Sequence, residues 1–120
     1  MNLVDTSVLV DWLRKGVMAK GYISVITLIE FLRGVDESKR LETKTALEEA
    51  FNIAQIDNEV VLEYCRLYEE LRRKGLSMGD ADLLIAATAK ANQLTLKTMD
   101  KDFEKLREHG INIEIAQPTD

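Results

Sequence analysis

The chain has 120 residues, 46% of them hydrophobic and 31% charged, and carries a net charge of −5, which is the make-up of one globular domain spanning 1–120. With one cysteine (Cys65) and one histidine (His109), it excludes an intramolecular disulfide, a cysteine-built zinc site and two-histidine acid–base chemistry within one chain. No basic tail stands out, no leader is visible at the start, and no apolar run nears the roughly 18 residues of a membrane span, so the expectation is a reduced cytoplasmic setting with no membrane.

Leu3-Val4 reads as a short strand ending at Asp5-Thr6-Ser7, and Val8, Leu9, Trp12 and Leu13 then fall at helical spacing. Tyr22 to Val25 is a second strand, followed by a helix from Thr27 to Arg33 that Gly34 stops. Glu37 to Phe51 reads as an exposed helix, and Ile53 to Ile56 as a third strand. Asn58 is placed to cap the helix of Val60, Val61, Tyr64, Cys65, Leu67, Tyr68 and Leu71, with Cys65 read as core packing. Ser77-Met-Gly-Asp80 has capping-box spacing ahead of the apolar helix Ala81 to Ala91. Leu94 to Thr98 is a fourth strand, Asp102 to His109 a short helix stopped by Gly110, and Ile111 to Ile115 a last strand; His109 reads as a helix-dipole partner. Strands alternating with helices predict a three-layer α/β/α sandwich around a mostly parallel sheet. Ligands in such sheets bind at the carboxyl ends of the strands.

Acids gather where that rule points. Asp5 ends the first strand, Glu30 follows the second, Asp82 opens an apolar helix, and Asp100 and Asp102 follow the fourth strand. Glu30 lies in Val25-Ile-Thr-Leu-Ile-Glu-Phe-Leu32, and Asp82 is followed at once by Leu83-Leu-Ile-Ala-Ala87. An ionised carboxylate near a core is costly unless paired or coordinated. Paired with arginine, for which Arg33 is one candidate, these acids are structural; converging on a cation, they are a site. Two carboxylates at about 5 Å repel by on the order of 3 kcal/mol at an effective dielectric of about 20. Hard cations such as Mg²⁺ or Mn²⁺ favour such oxygen ligands.

Taken together, Val4-Asp-Thr-Ser-Val-Leu9, Ser24-Val-Ile-Thr-Leu-Ile-Glu-Phe-Leu32, Ala81-Asp-Leu-Leu-Ile-Ala-Ala-Thr-Ala89 and Leu94-Thr-Leu-Lys-Thr-Met-Asp-Lys-Asp-Phe103 resemble the PIN-domain ribonucleases. More narrowly, they resemble the VapC toxins of toxin–antitoxin pairs. The four blocks run in order over nearly the whole chain, each with an acid where the family has one. The resemblance implies a metal-dependent endoribonuclease with Asp5, Glu30, Asp82 and Asp100 as catalytic and metal-binding acids and one or two Mg²⁺ or Mn²⁺ ions. Asp102 competes with Asp100 for the fourth ligand place, and Thr6 and Ser7 match the hydroxyl pair beside the first acid. It further implies products with 5′-phosphate and 3′-hydroxyl ends, a homodimer, and inhibition by a cognate antitoxin protein.

An acidic chain can still take RNA, because a filled metal site reverses the local sign and only a basic rim is needed. Arg33, Lys97 and Lys101 are the expected rim, with Arg72-Arg73-Lys74 read first as a solvated helix end. A haloacid-dehalogenase-type phosphatase needs a second aspartate where Ser7 stands. A receiver-type reading would use Asp57 after the third strand. The remaining alternative is a PIN-like module that binds RNA or protein without cleaving.

Overall fold

Five short parallel strands form one sheet in a computed structural model of the chain, which describes residues 1–17 and 19–118. The strands are β1 (Asn2–Val4), β2 (Tyr22–Ser24), β3 (Asn52–Ala54), β4 (Thr95–Thr98) and β5 (Ile113–Ile115). The helices are α1 (Thr6–Arg14), α2 (Val25–Leu32), α3 (Glu37–Ala50), α4 (Asn58–Arg73) and α5 (Asp80–Ala91), and a 3₁₀ helix covers Lys101–His109. The spatial order is β3-β2-β1-β4-β5. The chain therefore builds outward from β1 to one edge, then returns through α4 and α5 to add β4 and β5 on the other side. The order reverses between β1 and β4, where an open parallel sheet leaves a crevice at its carboxyl edge.

Side chains alternate across each strand, so neighbouring residues feed two separate cores. Leu3, Ala54, Leu96 and Ile113 pack on one face under α4, α5 and the 3₁₀ helix, with Leu67, Leu71, Leu83, Ile85, Phe103 and Leu106. Val4 and Ile23 point to the other face and meet Val8, Leu9 and Trp12 of α1, Leu28 and Leu32 of α2, and Leu47 of α3. This is the expected α/β/α sandwich. Among the described residues no helix is long and apolar enough to cross a membrane.

Several boundaries differ from the sequence expectation. The third strand is Asn52–Ala54 rather than Ile53 to Ile56, because Ile56 turns outward ahead of the next helix start. That start is made by Asp57, whose Oδ1 accepts from the Val60 N–H at 3.0 Å, so Asp57 rather than Asn58 caps α4. The capping box at Ser77 does not form: Gly79 is the N-cap of α5, and Asp80 instead accepts a 2.5 Å hydrogen bond from Tyr64 Oη. Cys65 is exposed, not in the core. His109 is buried beyond what a dipole partner requires, with Nδ1 2.7 Å from Glu70 Oε1, and the Arg66 guanidinium binds both Glu70 and the His109 carbonyl. That cluster ties the end of the 3₁₀ helix to the middle of α4.

Candidate active site

The crevice between β1 and β4 contains a cleft of about 240 Å³ lined by Asp5, Thr6, Ser7, Glu30, Arg33, Asp82, Asp100 and the edges of Ile85 and Phe103. Its acids arrive from four elements. Asp5 leaves the end of β1 in extended backbone geometry and caps α1, its Oδ1 accepting from the Val8 N–H at 3.1 Å. The same oxygen takes the Ser7 hydroxyl at 2.6 Å, and Oδ2 takes the Thr98 hydroxyl at 2.5 Å. Asp5 is only 5% exposed, so these donors do the stabilising that water would otherwise do for the buried charge. Helix cap and cleft acid are thus one residue in one conformation.

Glu30 reaches the cleft because α2 starts at Ser24, directly after β2, with Ser24 Oγ accepting from the Thr27 N–H at 3.0 Å. Thr6 Oγ1 stands 2.6 Å from Glu30 Oε1 and 3.3 Å from Thr27 Oγ1; the hydroxyl has one proton, and the shorter contact to the carboxylate takes it. Asp82 sits in the first turn of α5. Its carboxyl is pushed above the ordinary aspartate range first by burial, then by the negative charges of Glu30, Asp100, Asp5 and Asp102. One side chain therefore registers the field of the four other expected acids. Asp100 caps the 3₁₀ helix, its Oδ1 accepting from the Asp102 N–H at 2.9 Å.

Asp102 and two of the three expected rim cations lie elsewhere. Asp102 is outside the cleft lining, with its carboxylate 3.2 Å from Lys105 Nζ. Lys97 sits on the opposite face of β4 from Leu96, its ammonium 3.2 Å from Glu114 and 5.6 Å above the Trp12 ring. Lys101 is exposed beside Asp100 but not in the lining. Arg33 is the cation the cleft does contain.

Two hydroxyls escaped the sequence reading. Thr98 is fully buried and joins the two strand ends, donating to Asp5 and accepting from the Asp100 N–H at 3.0 Å. Thr27, equally buried, lies 3.4 Å from Ser24 Oγ and extends the hydroxyl chain behind Glu30. The one signal in the sequence was position: each lies within three residues of an expected acid, Thr27 as the lone polar residue of Val25-Ile-Thr-Leu-Ile29 and Thr98 at the end of a strand.

The donor set, all hard oxygens with excess negative charge, fits a divalent cation. Among the described residues no three acids are drawn tightly enough to grip one ion alone. That is the arrangement repelling carboxylates adopt, and Mg²⁺ commonly keeps several waters and only one or two direct carboxylates.

The family model of the PIN domain matches residues 3–109. The chain is 39% identical to ribonuclease VapC1 of Methanocaldococcus jannaschii, with 92% of this chain and 85% of that one covered. It is 32% identical to the tRNA(fMet)-specific endonuclease VapC of Salmonella typhimurium, with 77% and 72% covered. Among solved structures, VapBC2 from Rickettsia felis bound to a DNA fragment from its promoter superposes with a TM-score of 0.77 at 25% identity, covering 94% of this chain and 96% of that one. With the four sequence blocks, the parallel sheet and the acidic cleft agreeing with these likenesses, the chain belongs to the PIN-domain family, among its VapC ribonucleases.

Proposed function

We propose that this protein is a divalent-metal-dependent endoribonuclease, the toxin of a VapBC-type pair, built as one domain over residues 1–120 and acting as a cytoplasmic homodimer restrained by a cognate antitoxin. The observation that carries the reading is the convergence of Asp5, Glu30, Asp82 and Asp100, from four separate elements, on one cleft at the carboxyl edge of the sheet. The relatives' names add weight for RNA as substrate, and the VapBC structures for an antitoxin partner.

In this reading Asp5, Glu30, Asp82 and Asp100 hold one or two Mg²⁺ or Mn²⁺ ions, with Asp102 a more distant contributor of charge. A bound divalent cation supplies charge neutralisation at a phosphodiester and lowers the pKa of water. The chain's own residues do the rest. Thr98 and Ser7 fix both oxygens of Asp5, and Thr6 fixes one of Glu30, so the acids hold their orientation before substrate arrives. Asp82, its carboxyl raised by burial and by the charge of the neighbouring acids, would supply a further ligand oxygen from the first turn of α5. Arg33 meets the RNA phosphate at the rim, and Lys101 extends the track outside.

The test is cleavage of end-labelled tRNA and ribosomal RNA in Mg²⁺ or Mn²⁺ against EDTA, with Asp82→Asn and Glu30→Gln alongside. Cutting at discrete sites, dependent on metal and lost in both variants, is the expected result. Intact metal binding without cleavage of any RNA would replace the nuclease by a binding module.

A further inference from the structure

Asp82 and Asp100 both line the cleft, and among the described residues no hydrogen bond or ion pair joins either carboxylate to the other's helix. Asp82 rides on the first turn of α5, which packs chiefly on α4, whereas Asp100 caps the 3₁₀ helix, which packs chiefly on β5. Like charges on the two push their helix starts apart. The start of α5 also lacks a lock of its own, because its N-cap is Gly79, which has no side chain to bond the first turn. Its place relative to the 3₁₀ helix has to be set by a contact from outside.

Among the described residues two polar contacts cross from the 3₁₀ helix to the segment 74–79 that leads into α5. Lys74 Nζ lies 3.3 Å from Glu108 Oε2, but these side chains are 52% and 75% exposed, and so open a pair contributes little. Lys105 is the other, and its side chain is only 24% exposed. Its ammonium donates to the Ser77 carbonyl at 2.9 Å and lies 3.2 Å from each carboxylate oxygen of Asp102. Three protons meet three acceptors, which leaves none for an RNA phosphate. Ser77 stands two residues ahead of the Gly79 cap, and the Asp102 N–H is itself held by Asp100 Oδ1. One half-buried side chain thus ties the approach to α5 to the first turn of the 3₁₀ helix.

We propose that Lys105 is a positioning residue for the cation site: by holding the Ser77 carbonyl to the Asp102 carboxylate, it fixes the spacing of Asp82 and Asp100. Lys105 does this from outside the cleft lining. The role rests on the metal-dependent reading above and adds the group that sets the cleft's width. A plain charge effect would act in the opposite direction. Removing a cation beside an acidic site strengthens Mn²⁺ binding, whereas removing a tie between the ligand-bearing helices weakens it.

The experiment is Mn²⁺ titration of wild type, Lys105→Met and Lys105→Arg, read from the paramagnetic resonance of free Mn²⁺, with amide exchange measured on the metal-free proteins. Methionine keeps the apolar stem and loses the ammonium. The Leu83 N–H, bonded to the Gly79 carbonyl at 2.9 Å, reports the start of α5, and the Leu9 N–H, bonded to the Asp5 carbonyl at 3.0 Å, reports α1 as the control. Lys105→Met should bind Mn²⁺ about tenfold more weakly, the loss typical when a group behind metal ligands is removed. Exchange should quicken at Leu83 and not at Leu9, and Lys105→Arg should recover most of both effects. RNA cleavage should lose kcat with KM nearly unchanged. Mn²⁺ binding that is unchanged or tighter in Lys105→Met overturns the positioning role and leaves the metal site standing. A raised KM with unchanged kcat also overturns it and makes Lys105 a phosphate contact. Equal quickening at Leu83 and Leu9 overturns it in favour of general stability. A wild type that binds no Mn²⁺ overturns the role and the metal-dependent reading together.

Discussion

Thr98 has no solvent exposure and serves two acids at once, giving its proton to Asp5 Oδ2 and receiving the Asp100 N–H. Valine would keep its shape while leaving a buried carboxylate oxygen and a backbone donor without partners. A buried group stripped of its partner costs about 1–3 kcal/mol. Thr98→Val should therefore lower the unfolding free energy by about that much in urea, and Thr98→Ser should recover most of it. Equal losses in both variants would mean the methyl packing, not the hydroxyl, carries the effect. Tyr64 offers a cleaner readout of a single contact. Its hydrogen bond to Asp80, followed by burial and the Asp80 charge, lifts the phenol to about 12. Ultraviolet titration should show one tyrosine ionising about two units late, and Asp80→Ala should bring it back towards 10. Because the folded state holds that proton longer than the unfolded one, the contact's stability is complete below pH 10 and disappears as pH rises from 10 through 12.

Caps decide where the elements that deliver these residues begin. The α4 cap lies in Asp57-Asn58, two residues equally suited to the task, and the structure gives it to Asp57. Asp57→Ala should cost about 1 kcal/mol in thermal unfolding and Asn58→Ala only a few tenths. The reverse ranking would return the cap to Asn58. Such ties mark the limit of what the sequence makes legible. Strand-then-acid blocks were readable because alternation and helical spacing are local, and topology led from them to Asp5, Glu30, Asp82, Asp100 and Asp102 alike, while the preference for Asp100 over Asp102 came from the family resemblance. Cys65 was not readable, because α4 has apolar residues on the 60/67/71 line and on the 61/65/68 line, and only its packing against α5 decides which faces inward. Lys97 was misjudged for a related reason. Neighbours on a strand face opposite ways, and its register with Val4 turns it to the Trp12 side. The hydroxyls Thr27 and Thr98 bond to residues 21 and 93 positions away, Thr6 and Asp5, separations no local pattern encodes.

At the scale of the whole molecule, the cleft stores an opposition between fold and charge. Asp5 stands at the end of β1, Glu30 on α2, Asp82 on α5 and Asp100 beyond β4, so forming the sheet and its helices forces four carboxylates together. Hydroxyls and backbone N–H groups offset this at Asp5, Glu30 and Asp100. Asp82, partly buried and facing the others' charge, has no such bond among the described residues. Without metal it should be the acid that costs the fold most, so Asp82→Asn should leave the metal-free protein at least as stable as wild type. With metal the sign turns. A ligand bound only by the folded state adds about 2.7 kcal/mol at a hundredfold excess over Kd. Wild type should gain that much on Mn²⁺ titration, while Asp82→Asn, starting from equal or greater stability, should gain little or nothing. The crossing of the two stability curves as Mn²⁺ rises is the decisive feature. A variant that merely damaged folding would lie below wild type at every concentration, and one that left the metal response intact would remove Asp82 from the ligand set.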